Sequence, residues 1–417
     1  MSKLYITGQN RLSGSVCVQG AKNSALPILA ATVLTKGESV LYHCPDLTDV
    51  EASMCILRWL GCRASRDSDT VTVRCDGVSR NDIPDELMRK TRGSLAFLGA
   101  VLAASGKVRI TLPGGCQIGQ RPIDLHLKSL RRLGAVIRER HGWLECRAPH
   151  GLKGADIALP FPSVGATEAV MLAACTASGT TVLTNAAREP EITDLADFLN
   201  RCGAKIDGAG ESELVIEGVG ELRGCDHAII PDRIAAATLI TCAAVTGSDI
   251  TLKGVIHSHL AGILPPFEDA GCRFTAHKNE LRVSAPQRLR SMKIVRTMPY
   301  PGFPTDAQAP LLAAAATADG TTVMIENIFE NRYRHVSELT RMGADIKTEG
   351  KFALVEGVPR LYGASVEAAD LRGAAALAAA GLCAEGKTEL CGVQYLDRGY
   401  ERFEQVLTEL GADIVRV

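Results

Sequence analysis

The 417-residue chain lacks a sizeable net charge of either sign, a long apolar run, a CxxC motif, a dinucleotide-binding fingerprint and a P-loop. Its 46 Lys and Arg against 47 Asp and Glu leave a formal net charge of −1. No global basic field therefore recruits nucleic acid or an anionic membrane, and any bound anion must be held by a local cluster of positive groups. The longest apolar runs, residues 95–104 and 374–384, are about half of what spans a bilayer. The opening MSKLYITGQNRLSG has no signal-peptide core, so a cytoplasmic protein without a membrane partner is expected. Among 14 cysteines there is no CxxC, and the nearest two, Cys55 and Cys62, are seven apart. That spacing speaks against structural zinc and for unpaired thiols in a reducing compartment, most of them small buried hydrophobes. His257 and His259 form an HxH without a third ligand nearby, GVGELRG (218–224) misses the dinucleotide fingerprint, and no P-loop occurs. No metal and no cofactor is called for.

What the chain does have is an internal repeat. A glycine, a β-rich run, a loop, an amphipathic stretch and a second glycine recur from Gly37, Gly106, Gly179, Gly247, Gly320 and Gly386, with starts 66 to 73 residues apart. The closing copies are LGCRA (60–64), LGAVI (133–137), CGAKI (202–206), AGCRF (270–274), MGADI (342–346) and LGADI (410–414). The closing glycine fits a left-handed helix cap, and the helix before it carries an apolar stripe such as Leu127, Leu130 and Leu133 or Phe403, Val406, Leu407 and Leu410. Cys62, Cys202 and Cys272 lie beside it as small apolar residues.

A second, Ala-rich helix precedes each opening glycine, over 21–34, 91–104, 163–177, 232–245, 305–318 and 370–384. Each is apolar nearly all round, so it belongs inside a domain with strands around it. Polar residues crowd the N-terminal ends: Lys22 and Asn23, Arg92 and Ser94, Ser163 and Thr167, Asp232 and Arg233, Asp306, Asp370 and Arg372. Ser, Thr, Asn and Asp there can be ordinary caps. Capping does not call for Lys22, Arg92 or Arg372, and helix N-termini favour anions, so the ends suit a phosphorylated ligand in a common cleft. Six repeats divide as three plus three, with domains expected over 22–230 and over 1–21 plus 231–417. The strand-like run 13–20 lies in the segment 1–21, which is expected to complete the sixth repeat. Crossings near residues 21 and 231 would make a hinged two-lobed clamp, with Lys22 and Asp232 at the crossing.

GAKNSALP (20–27), LPGGCQIGQRPIDLH (112–126), SVGAT (163–167), NAAREPEI (185–192), PDRI (231–234), FPTDAQA (303–309), ENR (330–332), DLR (370–372) and DRGYER (397–402) together make the chain similar to the enolpyruvyl transferases over its whole length. The resemblance implies an α/β fold of two inside-out, barrel-like domains, each of three repeats around buried helices. It implies transfer of the enolpyruvyl group of phosphoenolpyruvate to the 3-hydroxyl of UDP-N-acetylglucosamine, by addition and elimination of phosphate, at the first committed step of peptidoglycan synthesis. No obligate protein partner is implied.

By the same resemblance Cys116 is the general acid, carried on a glycine-rich loop that closes over the sugar nucleotide. A thiol can be protonated at neutral pH and still surrender its proton, more easily beside a cation. Asp306 matches the acid beside the sugar hydroxyl. Lys22, Arg121 and Arg398 match the cations around phosphoenolpyruvate, and Asn23 a contact shared with the sugar. Arg92, the run Arg121, Pro122, Ile123, Asp124 and Leu125, and Ser163, Val164 and Gly165 match uridine and diphosphate contacts; Ile328 matches a backbone contact to the nucleotide sugar. Arg332, Asp370 and Arg372 match residues near the hinge and active site. Phe161 departs from the pattern, since some relatives carry lysine there. Two alternatives stand beside this reading. One is a shikimate 3-phosphate enolpyruvyl transferase, against which the cysteine loop and RPIDL argue. The other is a non-catalytic repeat protein that binds nucleotide sugars, against which the set Lys22, Cys116, Asp306 and Arg398 argues.

Overall fold

The structure, a computed structural model, describes residues 2–90, 92–111 and 123–417, the side chain of Arg92 apart. The repeat read from the glycines is a repeat of sheets. In the second repeat Asp82–Ile83 runs parallel to Lys107–Thr111, which is antiparallel to Trp143–Arg147, itself antiparallel to Val136–Arg140. The third repeat has the same order in Asp156–Ala158, Thr180–Thr184, Glu213–Glu217 and Lys205–Asp207. So does the fifth, in Ile294–Arg296, Thr321–Ile325, Phe352–Glu356 and Asp345–Glu349. Alternation explains how one face of each sheet is wet and the other dry: Leu214 and Ile216 point inward from Glu213–Glu217, while Glu213 and Glu217 face water. No described sheet closes on itself.

The Ala-rich helices lie inside. They span Lys22–Ala31, Ala96–Ser105, Val164–Ala174, Arg233–Val245, Gln308–Ala315 and Leu371–Cys383. Three are shorter than the apolar runs suggest, because 3₁₀ turns take over part of the run at Thr32–Leu34, Arg92–Leu95 and Thr305–Ala307. Small residues let the helices approach closely. A Cβ on Gly99 would stand 2.6 Å from the carbonyl oxygen of Ala169 on the neighbouring helix, a distance only glycine permits. The amphipathic helices end as the sequence requires: Gly61, Gly134, Gly203, Gly271, Gly343 and Gly411 all have φ between 95 and 102°, where a side chain would be strained. Cys62, Cys202 and Cys272 are buried next to them.

The described residues form two compact units, 2–19 with 231–417, and 20–111 with 123–230. Each has its own apolar core. The N-terminal segment corrects one expectation. Leu4–Thr7 does enter the sixth repeat, antiparallel to both Lys387–Cys391 and Asp413–Arg416. The run at 13–20 does not: Ser13–Cys17 pairs parallel with Asp249–Lys253 and supplies the missing edge of the fourth repeat. Burial gives the reason. Leu4 and Ile6 are both fully buried, as an inner strand needs, whereas Ser13–Cys17 buries only Val16 and contains Gly14, which suits an edge. The first repeat in turn takes its parallel edge from Leu222–Arg223 and Asp226–Ala228, paired with Thr35–Tyr42. No described helix is long and apolar enough to cross a membrane.

Candidate functional site

In the 231–417 unit the polar residues at the helix ends divide into caps and a charged cluster. Asp232 Oδ1 accepts from the amides of Ile234 and Ala235 at 2.8 and 3.0 Å. Asp370 Oδ1 accepts from those of Arg372 and Gly373 at 3.0 and 3.1 Å. These two serve as helix caps. Asp306 does not, although capping was open to it. The cap of its turn is Pro304, which makes no side-chain bond, and the carboxylate turns instead to two arginines. Oδ1 accepts from Arg332 Nη2 at 2.6 Å and Oδ2 from Arg372 Nη2 at 2.9 Å.

The arginine side chains are 3% and 5% exposed and that of Asp306 29%, so the guanidinium groups are the fixed part and the carboxylate the accessible one. Arg332 also donates to the Thr305 carbonyl, at 3.3 Å from Nε and 3.0 Å from Nη2. Arg372 Nη1 donates to the Tyr400 hydroxyl at 3.1 Å, and that hydroxyl shares a 2.8 Å bond with Thr238 Oγ1. Burial works against the Arg372 charge, but Asp306, Tyr400 and Asp232 more than offset it and hold its pKa above the usual value. Burial, above all, pushes the Tyr400 phenol up, so it stays a hydroxyl. The result is a carboxylate presented by fixed donors at the start of a helix, able to accept a hydrogen bond from a ligand hydroxyl.

Two residues that the motifs did not single out, Glu326 and Gln19, hold this region, and a third, His335, is buried in it. Glu326, buried, accepts from Thr297 Oγ1 at 3.0 Å and from the amides of Ile328 and Phe329 at 2.8 and 3.1 Å through Oε1. Its Oε2 takes Thr305 Oγ1 at 3.0 Å. It thereby fixes both the turn at Ile328 and the residue before Asp306. Gln19 brackets the segment after Arg398: its Nε2 donates to the Gly399 carbonyl at 3.1 Å and its Oε1 accepts from the Glu401 amide at 2.7 Å. Arg398 itself ends the 3₁₀ turn Val393–Arg398. His335 is buried, and burial first, opposed by Asp370 and reinforced by Arg332, pushes its pKa down to about 4. A buried carboxylate with several amide partners leaves no local pattern, so sequence reading passes over Glu326.

In the 20–230 unit Lys22 opens its helix and its Nζ lies 2.9 Å from Asp49 Oδ2. The lysine side chain is 12% exposed and that of Asp49 1%, so the cation is anchored from below. Asn23 is half-buried beside it. Two residues after Lys22, Ser24 Oγ donates to Asp194 Oδ2, and His227 Nε2 lies 2.8 Å from Asp194 Oδ1. The Ile230 amide donates to Asp194 Oδ2 at 3.4 Å, and the Ala21 amide to the Ile230 carbonyl at 2.7 Å. Serine, aspartate and histidine meet here, but the aspartate lies between the other two and all three are buried. The cluster is no nucleophile–base relay. It ties residues 21–24 to 227–230 and so fixes where Lys22 and Asn23 begin their helix.

Ser163 Oγ accepts from the Ala166 amide at 3.4 Å and caps the helix that Val164 and Gly165 open. A Cβ on Gly165 would come within 2.6 Å of His126 Nε2, so the glycine makes room for that ring. Ile123 and Asp124 start the helix Asp124–Arg132, with Leu125 half-buried and Asp124 exposed. Phe161 is exposed. Cys116, Arg121, Pro122 and the Arg92 side chain lie outside the described residues.

Residues 6–407 match the EPSP synthase (3-phosphoshikimate 1-carboxyvinyltransferase) family. The UDP-N-acetylglucosamine 1-carboxyvinyltransferase 2 of Caldanaerobacter subterraneus subsp. tengcongensis is 46% identical over 417 residues, 100% of both chains. The UDP-N-acetylglucosamine 1-carboxyvinyltransferase 1 of Carboxydothermus hydrogenoformans is 49% identical over 417 residues, 100% of this chain and 99% of its own. Among solved structures, the enolpyruvyl transferase NikO from Streptomyces tendae has a TM-score of 0.91 at 28% identity, over 100% of this chain and 99% of its own. An EPSP synthase from Acinetobacter baumannii has a TM-score of 0.76 at 20% identity over the whole of both chains, a likeness of fold.

Proposed function

The chain belongs to the EPSP synthase (3-phosphoshikimate 1-carboxyvinyltransferase) family, and from that premise we propose that it is a transferase that moves the enolpyruvyl group of phosphoenolpyruvate onto the 3-hydroxyl of UDP-N-acetylglucosamine. The observation that carries the choice of acceptor is identity of 46% and 49%, over full length, with relatives named for that sugar nucleotide. The sugar 3-hydroxyl gives its proton to Asp306 as its oxygen bonds to the central enol carbon, and Cys116 supplies a proton to the methylene carbon. That carbon then returns a proton, the bond to phosphate breaks, and inorganic phosphate leaves. The product belongs to the first committed step of peptidoglycan synthesis.

Each need of this chemistry has a candidate residue. Cys116 delivers the proton to the methylene carbon. Lys22, Arg121 and Arg398 neutralise the carboxylate and phosphate of phosphoenolpyruvate. Asp306, oriented by Arg332 and Arg372, accepts from the sugar hydroxyl, and Asn23 shares that contact. Arg92, Pro122, Ile123, Asp124, Leu125, Ser163, Val164, Gly165 and Ile328 bind the uridine, diphosphate and nucleotide sugar. The cytoplasm is the proposed location, supported by thirteen described cysteines that are all unbridged.

Phosphate release by purified protein tests the reading. Release that requires both phosphoenolpyruvate and UDP-N-acetylglucosamine is expected. Release with shikimate 3-phosphate instead would assign the other acceptor, and none with either would leave a binding protein.

A further inference from the structure

Two pairs of thiols face each other in the 20–230 unit. Cys62 and Cys75 stand 2.8 Å apart, one position beyond the Arg63–Arg74 pair of their strands, and both are buried. Cys202 and Cys225 stand 3.5 Å apart. Cys202 is buried, but Cys225 is partly exposed. Access therefore separates the two pairs.

We infer that Cys202 and Cys225 are a reversible redox pair, in which Cys225 meets a low-molecular-weight disulfide and Cys202 resolves the adduct into an intramolecular bridge. A disulfide needs its sulfurs at about 2.05 Å, so the observed 3.5 Å contact leaves a closing movement of about an ångström and a half. The backbone already joins the two stretches, since the Arg223 amide donates to the Cys202 carbonyl at 2.8 Å, and the Val40 amide, donating to the Cys225 carbonyl at 3.1 Å, anchors Cys225 to the strand Thr35–Tyr42. Exposure assigns the roles, since Cys225 is partly exposed and Cys202 is buried. The hydrogen bond with Cys202, against partial burial and with help from His227 and Arg201, brings the Cys225 thiol down to about 7. The same bond, then burial, pushes Cys202 up. A partly exposed thiolate with a resolving thiol behind it is the arrangement of a redox-sensitive site.

The atoms balance with glutathione disulfide as oxidant. The Cys225 thiolate attacks one glutathione sulfur, a mixed disulfide forms and the first glutathione leaves. Cys202, losing its proton, attacks the Cys225 sulfur and expels the second. Two protein thiols are oxidised and one disulfide is reduced to two glutathione thiols. The site gives the bridge a purpose. Cys202 follows the helix Pro190–Arg201 of the third repeat, whereas Cys225 lies in the return segment 222–228 that supplies the first repeat's edge. A bridge across 23 positions locks that return and removes freedom from the unfolded chain.

The test is to incubate the full-length protein with glutathione disulfide and map its peptides without reduction. One bridge, Cys202 to Cys225, is expected, with a melting temperature raised by roughly 5–10 °C and both changes reversed by dithiothreitol. Cys202→Ala should hold glutathione on Cys225 without a bridge. Running the same map in Cys116→Ser removes the loop thiol as a competitor. Bridging of Cys62 to Cys75 in preference, or glutathione left on Cys225 of the wild type, overturns the inference. Wild-type mapping decides even if a variant does not fold.

Discussion

Asp306 shows how a single carboxylate is oriented by a set of nearly buried partners. Its two arginines are nearly buried, one is tied to Thr305 and the other to Tyr400, and Glu326 holds Thr305 from the other side. His335 lies in the same unit with its pKa near 4 against an ordinary 6.5, a shift owed first to burial. Between those values the unfolded chain binds more protons at this position than the folded one. The full stability is therefore present above about pH 6.5 and falls as pH drops toward 4, by up to about 3 kcal/mol. In His335→Gln that part of the acid loss should vanish, so urea unfolding at pH 7 and pH 4.5 should show a smaller drop than in the wild type. An equal drop would mean that His335 is not held neutral.

At Cys116 the proposal is a proton transfer, and the substitutions follow from acidity. Cys116→Ser should nearly abolish multiple turnover, because a hydroxyl is far too weak an acid. Cys116→Asp should keep activity, with its pH optimum moved down to the new acid's range. An epoxide that alkylates the family's thiol, such as fosfomycin, should inactivate the wild type and spare the aspartate variant. A fully active serine variant removes the thiol from the reaction.

Among the elements, the Ala-rich helices carry the fold. They have almost no polar face, so sheets must cover them, and they pack so closely that one methyl group matters. Gly99→Ala would put its Cβ 2.6 Å from the Ala169 carbonyl oxygen and 3.3 Å from its Cα. Neither is a flexible side chain that can swing aside, so the helices Ala96–Ser105 and Val164–Ala174 must separate. A loss of about 1–3 kcal/mol is expected, read as a lower denaturation midpoint. An unchanged midpoint would show that the helices shift without cost.

For the molecule as a whole, strand exchange is the organising device. Residues near the N-terminus complete the fourth and sixth repeats, and residues 222–228 return to complete the first. Deleting residues 1–18 removes an edge from one sheet and an inner strand from another, with the buried Leu4, Ile6, Leu12 and Val16. Amide exchange should then lose protection in Asp249–Lys253, Lys387–Cys391 and Asp413–Arg416, while Glu213–Glu217 of the other unit stays protected. Retained protection in all four strands would contradict this account.

The six-part repeat, the buried helices and the glycine caps were legible in the sequence, because each depends on neighbours along the chain. A helix apolar on every side and a left-handed glycine after it are local facts of composition and backbone geometry. Pairing of distant strands is different. LYIT and SGSVC are both short segments near the N-terminus, and only the competition among partners decided that the first lies inside the sixth sheet and the second on the edge of the fourth. The same holds for the polar clusters. Asp306 and Asp370 look alike as acids at helix starts, yet one is a cap and the other is turned to Arg332 and Arg372, residues 26 and 66 positions away. Asp194 finds Ser24 across 170 positions and Glu326 finds Thr297 across 29. Side-chain identity specifies what a group can bond. Which partner it meets depends on tertiary packing, because a buried charge must take the donors that packing leaves within reach.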